Sequence, residues 1–317
     1  MNLDQRIITS KINADSAGKT LLNWLSGRFT YHPCQKWQEI INDGQIKLND
    51  ADCLPDDLLS AGDQVSYYPA NLIEPPVDLT FEIIYEDDYL LVVNKSGDLP
   101  CHPAGPFFKH TLWHALSLRY GKIHIISRLD RETSGLLLVA KDPETAAKLG
   151  NKRRTITKEY RAMVFGCFDS HINASGYLIK DTNSIVRKKR KFVFDVSEDA
   201  DSQKNQASNV STILTPEIIG KEYSLVKAEL KTGKLHQIRA TLFSLGFPLL
   251  GDKLYGPDDT IYLKIRDNKI TPQDKEKLVM QRQALHSCIL TFKHPKTDKL
   301  MSFTSDLPED FPVFLCR

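Results

Sequence analysis

The stretch from Ser127 to Lys141, Ser-Arg-Leu-Asp-Arg-Glu-Thr-Ser-Gly-Leu-Leu-Leu-Val-Ala-Lys, constrains this chain more than any other. Its second half, Leu136 to Ala140, is an unbroken apolar run that reads as a buried strand. Its first half sets a carboxylate, Asp130, between Arg128 and Arg131, so a charged loop is anchored to a rigid core element. A carboxylate flanked by guanidinium groups is held ionised and offered bidentate partners, and can act as nucleophile or base at neutral pH. Gly135 lets the backbone turn sharply before the strand, and Thr133 and Ser134 can hydrogen-bond local backbone groups. Taken alone, Arg-Leu-Asp-Arg is more often a surface ion-pair loop than a catalytic one.

At 317 residues the chain can build a substantial core and more than one domain. Its 41% hydrophobic and 26% charged residues are ordinary for a soluble globular protein. A formal net charge of +2 does not announce a nucleic-acid binder, so any such role depends on where the charges sit. The cysteines, Cys34, Cys53, Cys101, Cys167, Cys288 and Cys316, are scattered without a Cys-x-x-Cys pair, which argues against zinc ribbons and disulfide frameworks. Met1 to Ala14 has no apolar core of signal-peptide length and no run approaches a membrane span, so a cytoplasmic location is expected. His110 and His114 stand four apart, but Thr111, Leu112 and Trp113 supply no glutamate for a His-Glu-x-x-His site, and no metal is expected there.

Residues 18 to 69 carry a compact pattern of their own. Leu21, Leu22 and Leu25, closed by Gly27, and then Trp37, Ile40 and Ile41, capped by Gly44, predict two short helices. Gln45 to Asn49 and Val65 to Tyr68 read as short strands. Helix, helix, Gly-x-Ile-x-Leu-Asn and a late Gly-Asp-x-Val resemble the alpha-L RNA-binding motif, with Lys19, Arg28, Lys36 and Lys47 as the basic side chains for phosphates. A small domain with no RNA role is the alternative. Pro69, Pro75 and Pro76 make a stiff linker, dividing the chain into 1–70, a linker at 71–77, and 78–317.

Beyond the linker, Phe81 to Tyr85 and Tyr89 to Val93 flank an acidic turn as a hairpin, whose exit loop, Asn94 to Gly105, carries His102 and is placed to shape a pocket. Leu112 to Tyr120 predicts a helix ended by Gly121, and Asp142-Pro143 opens another that Gly150 ends. Lys152, Arg153, Arg154, Lys158 and Arg161 cluster around Tyr160 ahead of a strand at Ala162 to Phe165, a pattern suited to backbone contact with base stacking. Arg187 to Lys191 is the densest positive run, read as a second phosphate-tracking patch or a plain solvated loop. Asp195 to Asn209 is polar and reads as a flexible insertion. Tyr223 to Leu230 alternates as a strand, and Thr232-Gly233 turns into a helix carrying His236, Ile238 and Arg239 before Gly246. Leu249 to Gly256 follows as loop and turn, residues after Pro272 as a helix, and Ala284 to Phe292 as a last core strand.

The string Arg128 to Gly135 resembles the Arg-Leu-Asp-x-x-Thr-Ser-Gly signature of the RluA-type pseudouridine synthases. The resemblance continues in order through Val93–Gly97 with His102-Pro103, Lys158–Ala162, Thr232–Arg239, Gly251-Asp252 with Tyr255-Gly256, and Ala284–His286 with His294-Pro295. It therefore covers nearly all of the chain after about residue 76. Ser127 stands where the family often has histidine, a departure that touches only a flanking contact.

The resemblance implies an α+β fold: a mixed, mostly antiparallel central sheet with flanking helices and a central cleft, preceded by the small helix-helix-strand RNA-binding domain. It implies isomerisation of uridine to pseudouridine in RNA, with Asp130 as the catalytic carboxylate, attacking the sugar carbon or removing a sugar proton. Arg239 would be its ion-pair partner. Tyr160 would stack on the base and serve as a candidate for proton transfer, and Ile238 would pack against the base. Arg128 would fill the space a flipped base vacates, and His236 and Lys158 would contact substrate. The reaction is redox-neutral, so no cofactor, nucleotide or metal is expected. Ribosomal RNA is the preferred partner and transfer RNA the alternative, with no membrane association and a monomeric enzyme. A catalytically inactive RNA-binding protein of the same fold is a rival reading. A glycosidase or nucleosidase is another, but the second carboxylate or calcium site it needs has no recognisable motif.

Overall fold

In the computed structural model the described residues are 6–312, apart from 30–31, 71–72, 152–155, 187–188, 196–206, 259, 268 and the side chain of Arg266. The chain divides into two compact units, Met1–Pro75 and Pro76–Arg317, each with its own apolar core.

The smaller unit contains β1 (Ile8–Lys11), α1 (Leu21–Arg28), α2 (Cys34–Asn42), β2 (Ile46–Leu48), β3 (Ala51–Asp52) and β4 (Gln64–Tyr67), with strand order β1-β4-β2-β3. Thr20 caps α1 by accepting the Asn23 N–H, and the helix runs through Gly27 instead of ending there. Leu21, Trp24 and Leu25 of α1 meet Trp37, Ile40 and Ile41 of α2 in one buried cluster with Ile12, Ile46 and Val65. Two of the predicted phosphate contacts are engaged locally, Lys36 with Glu39 at 2.7 Å and Lys47 with Asp52. Such exposed pairs are weak and exchange readily for phosphate.

The larger unit continues with β5 (Phe81–Glu86), β6 (Leu90–Lys95), α3 (Leu112–Tyr120), β7 (His124–Ile125), β8 (Ser134–Ala140), α4 (Pro143–Asn151), β9 (Thr157–Phe165), β10 (Ile172–Lys180), β11 (Arg190–Val193), β12 (Ser208–Ile218) and β13 (Tyr223–Leu230). It closes with α5 (Gln237–Ser244), α6 (Thr260–Arg266), α7 (Pro272–Leu278), β14 (Leu285–Lys293) and β15 (Leu300–Thr304). The strands form one eleven-stranded sheet with the path β11-β10-β12-β13-β9-β14-β8-β6-β5, β15 beside β14 and β7 beside β8. Every pairing is antiparallel except β14 with β8, so the sheet is mixed and mostly antiparallel, as the family resemblance implies.

The apolar run of β8 is buried along its whole length, between β6 and β14. Its alternate residues enter different cores. Leu137 and Val139 pack with Leu91, Val93 and the α3 and α5 side, whereas Leu136 and Leu138 pack with Leu90, Val92, Leu149 of α4 and Phe292. Both faces are covered, which is why this strand shows no polar alternation. Gly135 lies inside β8 and not ahead of it: its φ is +106°, and a Cβ there would sit 2.3 Å from the Ser287 carbonyl oxygen. Glycine is required by close approach to β14, not by a turn before the strand.

The region read as a polar insertion is partly strand, because Ser208 and Asn209 open β12; residues 196–206 lie outside the described residues. Among the described residues no helix is long and apolar enough to cross a membrane.

Candidate active site

Asp130 sits in the loop between β7 and β8, and that loop is held from several directions. Leu129 plugs into the main core, and its backbone N–H and carbonyl both meet the Cys101 thiol, at 3.4 and 3.3 Å. The Thr133 N–H closes a turn onto the Asp130 carbonyl. Lys95, fully buried at the end of β6, donates to the carbonyls of Ser96 at 2.7 Å and Arg131 at 3.0 Å. Burial lowers its ammonium to about 8, with the nearby Arg282 charge adding to the effect. Glu132 accepts from Lys253 at 2.5 Å, and Gln283 donates to the Thr133 hydroxyl at 2.5 Å.

The arginines adjacent in sequence do not supply the charge partner of Asp130. Arg131 turns to Asp98 and Glu132, each at 3.2 Å, and Arg128 is exposed near His102. The partner is Arg239, on α5, whose Nη1 donates to Asp130 Oδ2 at 2.6 Å. Two of its other donors are taken by a residue that sequence reading left in a plain turn. Asp252 is fully buried and accepts from Arg239 Nε at 2.6 Å and Nη2 at 2.8 Å. The same carboxylate caps its own turn by accepting the N–H groups of Leu254 and Tyr255. The Gly-Asp pair carried the only local signal for it.

Burial alone would raise the Asp130 carboxyl, but the Arg239 charge, the nearby His236 and hydrogen bonds from Arg239 and Gln283 outweigh it, holding the group below the usual carboxylate range. Arg239 is likewise kept charged, its burial outweighed by Asp252 and Asp130. One oxygen of Asp130 is thus anchored. The other, Oδ1, lies 3.9 Å from His236 Nε2, and the side chain keeps 23% exposure while that of Asp252 has none. This is an ionised carboxylate with one fixed oxygen and an accessible face.

Tyr160 on β9 and Ile238 on α5 are both buried in the cluster that contains Leu129. Burial drives the Tyr160 phenol well above its ordinary range, with the Asp130 charge adding to it and a hydrogen bond to Ser287 opposing. Lys158 lies two residues before Tyr160 on β9 and is half-buried. His236 precedes α5 in a left-handed conformation, φ 57°, with Nδ1 3.2 Å from the Tyr255 hydroxyl. Lys95, Ser134, Arg282 and His286 line a depression of about 560 Å³ whose walls do not include Asp130, Tyr160 or Arg239.

Two residues of the basic clusters are engaged within the protein. Lys152, Arg153, Arg154, Arg187 and Lys188 lie outside the described residues. Arg161 is committed to Glu217 at 2.5 Å. Lys189 is buried, its ammonium 4.1 Å from the centre of the Phe243 ring, so it is a core cation and not a phosphate contact. His110 and His114 hold no metal cluster among the described residues.

Residues 89–244 match the family model for RNA pseudouridylate synthase. The ribosomal large subunit pseudouridine synthase D of Zymomonas mobilis is 32% identical over 288 residues, covering 86% of this chain and 81% of that protein. The protein of the same name from Buchnera aphidicola is 32% identical over 317 residues, covering 94% of each. The solved structure of human RNA pseudouridylate synthase domain containing 1 has a TM-score of 0.55 at 24% identity, over 77% of this chain and 90% of that one, a likeness of fold. The chain belongs to the RNA pseudouridine synthase family. Its chemistry is isomerisation of uridine to pseudouridine in RNA.

Proposed function

We propose that the protein isomerises specific uridines of ribosomal RNA in the cytoplasm, with Asp130 as the nucleophile. The reading is supported by the 2.6 Å contact from Arg239 to Asp130, which makes an ionised, oriented carboxylate in a partly open site. The relatives from Zymomonas mobilis and Buchnera aphidicola carry names that specify the large ribosomal subunit, which supports the choice of substrate.

The reaction breaks the bond from uracil N1 to ribose C1′ and forms one from C5 to C1′, while a proton leaves C5 and one arrives at N1. Atoms and electrons balance within the nucleotide, so neither cofactor nor metal is needed. A target uridine in structured RNA is first flipped from its stack. Exposed Arg128 occupies the vacated space. Tyr160 and Ile238 hold the detached uracil, with His236 and Lys158 contacting the nucleotide. Asp130 attacks C1′ through the oxygen not anchored by Arg239. Because Tyr160 is a neutral phenol, any proton it takes from C5 must be matched by release of its own, which N1 of the turned uracil accepts. All these groups come from one chain, so a monomer suffices. The N-terminal unit is an alpha-L type RNA-binding domain that adds affinity.

The test is pseudouridine mapping of total RNA from cells with and without the gene, followed by rescue with the wild type or Asp130→Asn. Sites in ribosomal RNA should vanish with the gene and return with the wild type alone. Full rescue by Asp130→Asn would refute the role of Asp130.

A further inference from the structure

The turn that holds Arg239 also holds His236. Tyr255, three residues after Asp252, is completely buried, and the Arg239 guanidinium lies 5.1 Å from its ring centre. Its hydroxyl accepts the backbone N–H of Arg190 at 3.1 Å, from the start of β11, and lies 3.2 Å from His236 Nδ1. The His236 ring stands edge-on to that of Tyr255, at 5.5 Å and 82°. His236 adopts φ 57°, an uncommon conformation for a residue with a Cβ, and this directs Nε2 toward Asp130 Oδ1.

A phenol has one proton to give. With the Arg190 N–H already donated to the Tyr255 oxygen, the hydroxyl proton of this enclosed group needs an acceptor. His236 Nδ1 is the acceptor within reach. An imidazole that accepts at Nδ1 carries its proton on Nε2.

We propose that Tyr255 is a positioning residue for the isomerase: its hydroxyl, oriented by the Arg190 N–H, donates to His236 Nδ1 and so keeps the imidazole proton on Nε2, the nitrogen facing Asp130. This rests on the reading of Asp130 as the catalytic carboxylate. In this tautomer an N–H, not a lone pair, is directed at Asp130. It supports the ionised carboxylate and stands at the open side of the site as a donor for a uracil carbonyl. In the other tautomer a lone pair would oppose Asp130 Oδ1. The arrangement also ties the site to the β10–β11 hairpin, because Arg190 supplies the bond that orients the phenol.

The experiment uses the full chain labelled with 15N-histidine, and ribosomal RNA from cells lacking the gene. Long-range proton–nitrogen correlation should show His236 protonated at Nε2 in the wild type and redistributed toward Nδ1 in Tyr255→Phe. The same variant should lower the single-turnover rate about ten-fold while leaving the Kd for RNA within about two-fold. In a His236→Gln background, Tyr255→Phe should cause no further loss, since its effect passes through the imidazole. An Nδ1-protonated His236 in the wild type overturns the proposal, even if Tyr255→Phe fails to fold. So does a wild-type rate in Tyr255→Phe, or an equal loss in both backgrounds, which would mark a merely structural role. Activity of Asp130→Asn, measured in parallel, separates the two readings: if it is dead while Tyr255→Phe keeps the wild-type rate, only the present inference fails.

Discussion

Asp252 grips Arg239 through two parallel hydrogen bonds of 2.6 and 2.8 Å, wholly out of solvent. This sets the guanidinium so that Nη1 reaches Asp130. One cation serving two carboxylates leaves a net negative charge, so Asp130 is oriented without being fully neutralised. The accessible carboxylate stays electron-rich because a hidden one has first claim on its partner.

Asp252→Asn tests that division of charge. The amide nitrogen would oppose a guanidinium N–H, and Arg239 would turn its whole charge on Asp130. Breaking a buried pair from one side costs about 3 kcal/mol or more, and a misplaced reacting group can cost about a hundred-fold in rate. Urea unfolding should show the first and single-turnover pseudouridine formation the second. Near-native values of both would remove Asp252 from the site.

Lys95 gives a pH signature. Its folded value is about 8, below the 10.5 of an unperturbed lysine, so the folded state binds the proton more weakly than the unfolded state. Stability attributable to Lys95 therefore rises as pH climbs from about 8 to 10.5, by roughly 3 kcal/mol in all. Urea titrations of wild type and Lys95→Met at pH 7.5, 8.5 and 9.5 isolate this slope; parallel curves would show that Lys95 is not the source.

At Gly135, alanine would place a methyl 2.3 Å from the Ser287 carbonyl at φ +106°. The neighbour is backbone of a central strand and has no room to move. Gly135→Ala should lose at least about 2 kcal/mol and disturb the loop carrying Asp130. Thermal unfolding of the purified variant measures this, and an unchanged Tm would mean β14 yields there.

Deleting residues 1–75 removes the smaller unit with its own core. The Kd for ribosomal RNA should weaken about ten-fold or more, while the single-turnover rate at saturating RNA changes by less than about three-fold. Undiminished affinity would remove the RNA-binding role of that unit.

Much of the fold was legible because local pattern sets local structure. The hairpin of β5 and β6, helices α3 and α4, the two-sided burial of β8 and the strand–turn–helix from β13 to α5 follow from periodicity and capping residues. Strands β10 and β15 and most of β12 went unread, being irregular or polar segments whose pairing depends on distant partners. The resemblance of short motifs singled out Asp130 and Arg239, which lie 109 positions apart.

The sequence by itself determined many of the elements and that Asp130 would stand on a loop before a buried strand. Only the tertiary structure decided which charges meet. Arg131, next to Asp130 in the chain, turns to Asp98 and Glu132, while Arg239, Asp252, Gln283 and His236 converge from elsewhere. The reason is physical: secondary structure answers to neighbours a few residues away, whereas a buried ion pair answers to desolvation and geometry, and these exist only once the sheet and α5 have closed around it.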